Sequence, residues 1–449
     1  MTSDIIIIGA GPGGYETAVE AAREGLTVTV VERDALGGTC LNRGCIPTKA
    51  LLRSAEVLDI VGQAEEFGIK TNDISVDYAR AAERKDAIVN QLRDGVTSLL
   101  SAPGINVVKG EAEIVSAREV IVDGAVYTAE KAIIIATGSC PASLPIDGAD
   151  LAVNSDYLLT MTSLPSSAVI IGGGVIGMEF AGILNSFGTE VTVVEYCPEI
   201  LPPFDRDIAK RLRTALSRRG VTIIVSAAVK SIAATADGHR EVTYERKCKS
   251  LSVEAEMVVM AVGRRPVVPK GAENAGVAIE RGRIVVSDDM STSVPGIYAI
   301  GDVNGRCMLA HAATAQGRVA LASILGHECA INLNVVPSAV FTCPETAMVG
   351  LTEEAAIQAG LDIAVGRSMF RANGKALALG ETDGLVKIIV NKADRRIVGC
   401  HIIGPHASDI ITEVALAIAA NLTADDLADA IHSHPTLSEV IPAALAALR

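Results

Sequence analysis

Cys40 and Cys45 are the two side chains best spaced to do chemistry together. They stand in GGTCLNRGCIPTKALL, residues 37–52, with Leu41, Asn42, Arg43 and Gly44 between them. A loop that short brings two thiols within reach of one disulfide. A helix is expected to run on through Lys49 and Leu52, and its unpaired amides would stabilise a thiolate at its N-terminal end. Zinc would need two further ligands, and the sequence offers no partner CxxC or HxxxH unit. A redox-active pair is therefore favoured over a metal site or inert cysteines. Cys140, Cys197, Cys248, Cys307, Cys329, Cys343 and Cys400 sit singly, so the nine cysteines do not form a disulfide scaffold.

A second group lies near the C-terminus in HSHPTLSEV, residues 432–440. His432 and His434 make an HxH pair, but two ligands without a third are a poor metal site. Thr436 and Glu439 have the spacing of a capping box for the last helix, with Pro435 just ahead of it. His434 reads equally as a structural histidine or as an acid–base group, and thiol–disulfide exchange needs a proton acceptor of near-neutral pKa.

These residues need elements to hold them, and two segments supply the same one. Residues 4–32 read as strand, turn, helix and strand, with Gly9, Gly11 and Gly14 as GxGxxG and Glu32 at the end of the second strand. The first glycine permits the tight turn, the second admits a pyrophosphate, and the third lets helix and strand pack closely. Helix amides then face the phosphates, and Glu32 accepts from a ribose diol. Residues 168–195 repeat the pattern with Gly172, Gly174 and Gly177, and Glu195 again lies 23 residues after the first glycine. Two copies at one spacing imply two dinucleotides and electron traffic between them. Glu195 would repel a 2′-phosphate, and Tyr196-Cys197 supplies no Arg to receive one, so NAD is favoured over NADP.

The remaining chain organises around these copies. Residues 50–100 read as long helices and 105–135 as short strands. KAIIIATGS, residues 131–139, is a buried strand closing on Thr137-Gly138. SVPGIYAIGDV, residues 293–303, brings Asp302 to the end of another strand. The expected units are 1–145, 146–265, a return of the chain to the first unit over 266–336, and a separate α+β domain over 337–449. The whole is α/β, with two Rossmann-like dinucleotide-binding domains. The 449 residues are 49% hydrophobic and carry a net charge of −14, from 39 Lys+Arg against 53 Asp+Glu. That balance argues against a nucleic-acid or anionic-membrane surface. No apolar run reaches 18 residues, and no leader is recognisable, so a cytoplasmic protein is expected.

The motifs GAGPGGY, GGTCLNRGCIPTKALL, ATGS, GGGVIGME, VGRRP, IGDV, MLAH, FTCPETAMVGLTE and HSHPTLSE span residues 4–445. With them the chain resembles the flavin-containing pyridine nucleotide–disulfide oxidoreductases, and among them the branch that oxidises dihydrolipoamide. The resemblance implies one tightly bound FAD per subunit at Gly9, Gly11, Gly14, Glu32, Thr39, Lys49, Thr137, Gly138, Ser139, Asp302, Met308, Leu309, Ala310 and His311. It implies NAD+/NADH at Gly172, Gly174, Gly177, Glu179, Glu195, Val229, Ala261, Gly263 and Arg264. Cys40 would be the thiol that meets substrate and Cys45 the thiol beside the flavin, with Lys49 near the ring and paired to Glu179. His434, oriented by Glu439, would serve as base in the other subunit of a homodimer, built through a C-terminal dimerisation domain. No metal is implied.

The implied partners are lipoyl domains or a lipoylated carrier protein, and the acyltransferase core of a 2-oxo acid dehydrogenase complex or the glycine cleavage system. The chain departs from the family's usual form at Ala312 and Gln316, where Lys and Glu are frequent, and at Arg43, where Val or Ile is frequent. An NADH-dependent reductase of another low-molecular-weight disulfide is the competing enzyme. A non-catalytic scaffold would predict decay in the cysteine pair, His434 or a fingerprint, and all are intact.

Overall fold

A computed structural model describes residues 1–448 of the chain. The isoleucines of Thr2–Ile8 form the centre of the first sheet, paired in parallel with Val28–Glu32 on one side and Ala125–Ile135 on the other. Ile5, Ile6 and Ile7 are fully buried, as a strand covered on both faces must be. The strand order is Ile105–Lys109, Val28–Glu32, Thr2–Ile8, Ala125–Ile135, Glu119–Val122, Ala112–Ile114, the last two antiparallel. Ile297–Ala299 also pairs in parallel with Ala125–Ile135, so the late segment reaches the first sheet and sets Asp302 at its end.

The second fingerprint sits in a four-stranded parallel sheet, ordered Thr222–Ile224, Glu190–Val194, Ser167–Ile171, Met257–Met260. A three-stranded antiparallel sheet, Ala228–Ala234, Arg240–Arg246 and Lys249–Ala255, packs beside it. From Ser338 onward a five-stranded antiparallel sheet carries the helices Ala407–Ala419 and Val440–Ala446 on a core of its own.

One local expectation changes. The stretch between the cysteines is not a loop but part of a short helix, Gly38–Arg43. It breaks at Gly44 (φ −146°, ψ −115°), and a new helix, Cys45–Gly62, starts there; it is called the redox helix below. Only Cys45, therefore, is at that helix's N-terminal end. Residues 50–100 hold long helices as expected, with a break between them. Gly68 turns left-handed (φ +76°), and Asp77 accepts from the Arg80 amide to cap a fresh helix, Tyr78–Leu100. Among the described residues no helix is long and apolar enough to cross a membrane.

Candidate functional site

Cys40 and Cys45 are joined as a disulfide with Cα atoms 4.7 Å apart, inside the range a disulfide spans without backbone movement. The segment that carries them is tightly held. The Asn42 side-chain amide donates to the carbonyls of Leu36 and Gly38, each at 2.9 Å, and Arg93 Nε donates to Asn42 Oδ1 at 2.8 Å. One turn into the redox helix, Lys49 Nζ donates to both carboxylate oxygens of Glu179 at 2.8 Å. The same ammonium lies 4.3 Å from the centre of the Phe341 ring, whose backbone N–H donates to Glu179 Oε1 at 3.0 Å. The Glu179 side chain, 6% exposed, thus ties together the redox helix, the second fingerprint helix (Val175–Ser186) and the C-terminal region.

The cysteines open onto a cleft of about 1190 Å³. That exceeds the usual pocket for a drug-sized molecule and suits an extended dinucleotide. Every residue expected around FAD lines it, from Gly9 to His311. The donor set fits as well. Helix Pro12–Arg23 presents its first amides, Glu32 stands at one end, and the helix Ala310–Leu325 begins at the other with its own free N-terminal amides. Ser139 Oγ donates to Asp302, and His311 Nε2 lies 2.7 Å from the Pro337 carbonyl oxygen. Gln316 is buried, and its side-chain oxygen accepts from the Gly301 amide and from Asn304 Nδ2.

The two fingerprints are close copies. Gly9 (φ +106°) and Gly172 (φ +109°) both make the turn that L side chains rarely adopt. A Cβ on Gly14 would collide with the Gly9 carbonyl oxygen, and one on Gly177 with that of Gly172. Glu32 accepts from the Ala10 amide at 2.7 Å and the Asp34 amide at 2.8 Å. Glu195 accepts from the Gly173 amide and, at 2.6 Å, from that of Cys197. Burial pushes the Glu32 carboxyl above its ordinary pKa, against the pull of the Ala10 amide and of Arg33 and Arg43.

Of the residues expected around NAD, Glu179 and Arg264 line the first cleft, while the other seven do not. Arg264 donates from Nε to Ser139 Oγ at 2.7 Å and from Nη2 to the Ser139 carbonyl at 2.8 Å, because Arg264–Pro266 pairs with Ser139–Pro141. Val229 pairs with Tyr244 in the antiparallel sheet and packs against that sheet's apolar cluster.

At the C-terminus, His434 Nδ1 lies 2.9 Å from Glu439 Oε1, and Glu439 Oε2 accepts from the Thr436 amide at 2.8 Å. The two oxygens divide the work between cap and histidine. The Thr436 amide first, then His434, hold the Glu439 carboxyl below its ordinary pKa. The His434 side chain is 79% exposed and does not line its own chain's cleft, so the structure does not bring it to Cys40 and Cys45 of the same chain. His432 turns elsewhere, with Nε2 2.8 Å from Glu413. Among the described residues no group of His, Cys, Asp and Glu is arranged to hold a metal ion.

Sequence reasoning did not single out Phe341 or Asn42 with Arg93. Arg93 is distant in sequence from Asn42, as Lys49 and Glu179 are from Phe341, and FTCPE marked Phe341 only as part of a motif.

Residues 3–317 match the pyridine nucleotide-disulphide oxidoreductase family, and residues 336–445 match its dimerisation domain. The chain is 42% identical over 447 residues to a dihydrolipoyl dehydrogenase of Geobacillus stearothermophilus, covering 98% of this chain and 95% of that one. It is 40% identical to the dihydrolipoyl dehydrogenase of Halobacterium salinarum, covering 97% and 94%. Among solved structures, it is similar to the HOCl-induced flavoprotein disulfide reductase RclA from Escherichia coli, at 32% identity and a TM-score of 0.87 over 99% of both chains.

Proposed function

The chain belongs to the pyridine nucleotide-disulphide oxidoreductase family, and on that premise we propose that it oxidises dihydrolipoamide to lipoamide with NAD+ as acceptor. The observation that carries this reading is the Cys40–Cys45 disulfide opening onto the same cleft as the first fingerprint, with Lys49 beside it. The residues lining that cleft, Gly9, Gly11, Glu32 and Asp302 among them, would hold FAD, which would supply two-electron carriage between the dithiol and NAD+.

The protein's own residues do the rest. A substrate thiolate attacks Cys40 Sγ, the Cys40–Cys45 bond breaks, and Cys45 leaves as thiolate. Its place at the first residue of an 18-residue helix stabilises that charge. The second substrate thiol then attacks the substrate sulfur of the mixed disulfide, forming cyclic lipoamide and releasing Cys40. A histidine must accept a proton in this sequence, and His434 is held for the task by Glu439 Oε1. Because His434 is apart from its own chain's cleft, it serves the partner subunit of a homodimer, for which the matched dimerisation domain is the support. Lys49, anchored by Glu179, presents its ammonium toward the cleft. Glu195 selects NAD+ over NADP+ by repelling a 2′-phosphate.

The lipoyl group is best presented by a lipoyl domain or lipoylated carrier protein, with the chain recruited to an acyltransferase core in the cytoplasm. The likeness to the E. coli flavoprotein disulfide reductase favours a second reading, NADH-dependent reduction of another small disulfide. Dihydrolipoamide oxidation by the purified, FAD-loaded dimer, with NAD+ and NADP+ side by side, separates the two. Turnover with NAD+ alone supports the first. Bound FAD and a reducible cysteine pair without turnover would exclude it and leave the second.

A further inference from the structure

Arg43 lies between the two cysteines, yet its side chain turns away from them. It is the last residue of the short helix Gly38–Arg43, and its guanidinium forms an ion pair with Asp34. Asp34 stands two residues past Glu32 and donates its amide to Glu32 Oε1. Both members of the pair line the large cleft. The bridge therefore joins two walls of that cleft, the redox segment and the end of the second strand, at the carboxylate that receives a ribose diol.

We propose that the Arg43–Asp34 pair is a clasp that retains FAD at the first dinucleotide site. This rests on the reading of that site as the FAD site. A ligand held by Glu32 would have the pair immediately beside it, since Asp34 bonds that carboxylate and Arg43 lines the same cleft.

Three features make an exposed ion pair effective here. First, the backbone that carries Arg43 is held in place, because Asn42 beside it is fixed by Leu36, Gly38 and Arg93. Closing the pair then has to order two side chains only, and not the segment that bears Arg43. Second, the other rim of the same end is bridged too, as Glu111 pairs with Lys270 at 2.9 Å and with Arg33 at 3.6 Å. Third, the side chains of Arg43 and Asp34 remain 41% and 55% exposed, so the clasp can open without unfolding anything.

The test is the rate at which the holoprotein gives up its flavin, read as free-flavin fluorescence after dilution, across a salt series. Arg43→Val should release flavin roughly two- to fivefold faster than wild type, the range open to one exposed pair. Salt should accelerate release from the wild type and do so much less in Arg43→Val, because screening opens what the variant lacks. Arg43→Lys should fall between the two. The charge-swapped double variant Arg43→Asp/Asp34→Arg should return toward wild type, which a purely structural effect of either single change would not do. Equal release rates and equal salt dependence in wild type and Arg43→Val would overturn the clasp while leaving the FAD site standing. A wild-type protein that purifies without flavin would overturn both.

Discussion

The two fingerprint turns share their backbone geometry and differ in what is packed on them. In the first, Gly11 faces Gly38 of the redox segment, and a Cβ on Gly38 would strike the Gly11 Cα. Gly13 admits the helix Ala310–Leu325 so closely that a Cβ there would meet Ala313 at 3.1–3.3 Å. Gly317 of that helix faces Thr17, whose hydroxyl donates to the Gly13 carbonyl at 2.6 Å. In the second, a Cβ on Gly174 would meet nothing within 4 Å, and Ile176 stands where the first copy has Gly13. The first turn is thus packed against the redox segment and the helix Ala310–Leu325, whereas the second packs Gly173 against Ile200 and Glu195 and leaves Gly174 clear. What separates a resident cofactor from an exchanging one is cover, which sets the rate of departure, rather than the turn that binds.

The most direct test of that contrast puts the same side chain into both turns. Val at Gly14 or Gly177 drives a branched carbon against a backbone carbonyl that has nowhere to move. Each should cost about 3 kcal/mol, the upper end of overpacking, or about 100-fold in binding. Gly14→Val should purify without flavin and without turnover. Gly177→Val should keep its flavin absorbance and its thiol-reducible cysteine pair, and lose NAD+-linked turnover. Loss of flavin from both would erase the distinction.

The second unit is instead tied down from outside its fingerprint. Lys387, 2% exposed, donates to both oxygens of Asp205 at 2.8–2.9 Å, to Asp207 at 2.9 Å, and pairs with Glu353 at 2.7 Å. Burial works against the ammonium, but the hydrogen bonds of Asp205, Glu353 and Asp207 hold its pKa above the ordinary value. Asp205 and Asp207 begin the helix Arg206–Arg218, while Lys387 lies in the C-terminal sheet. Lys387→Met strands a fully buried Asp205, and should cost about 3–5 kcal/mol, seen as a lower thermal midpoint. A midpoint close to wild type would mean that the cluster is not what joins the second unit to the C-terminal sheet.

That cluster was invisible in the sequence, and the reason is distance. Asp205, Glu353 and Lys387 are separated by long stretches of chain, and no periodicity links them. The same holds for Arg264, which lies in a turn expected to serve NAD and also bonds Ser139 from 125 residues away, and for the pairing of Arg43 with Asp34. The α/β fold and both fingerprints were legible because their signals are local: an apolar strand, three glycines and an acid within one βαβ unit. The His434–Glu439 contact was open to the same reading, since five residues separate the pair. Whether Glu439 capped or oriented was undecided from spacing, because one carboxylate has two oxygens and does both.

A smaller effect should come from the paired acids. Glu195→Ala removes the acceptor for the Gly173 and Cys197 amides and for a ribose diol. It should raise the KM for NAD+ roughly tenfold, as loss of one charged hydrogen-bond acceptor does, with much less change in kcat. Glu32→Ala should leave the KM for NAD+ near wild type and show itself as weaker flavin retention. A raised KM for NAD+ in Glu32→Ala would mean the two sites are coupled and the contrast between them too simple.

The smallest effect is a pH dependence at Glu32. Burial raises the Glu32 carboxyl above its ordinary pKa in the unliganded protein, so ionisation there is opposed. With the folded pKa above the unfolded one, Glu32 weakens the unliganded fold once pH rises through that folded pKa, and the penalty disappears as pH falls and the carboxyl takes up its proton. Ribose hydroxyls, however, donate in pairs only to the ionised carboxylate. Binding FAD must then pull the pKa down and release a proton, so affinity should weaken as pH falls through the raised pKa, by up to about tenfold per pH unit. Fluorescence titration of apoprotein with FAD over the acid range should show that slope in wild type and a flat, weaker response in Glu32→Gln. A flat wild-type response would mean that Glu32 is already ionised in the empty site. The packing of the redox segment and the helix Ala310–Leu325 on the first turn would then act on exchange of the cofactor without touching the chemistry of its recognition.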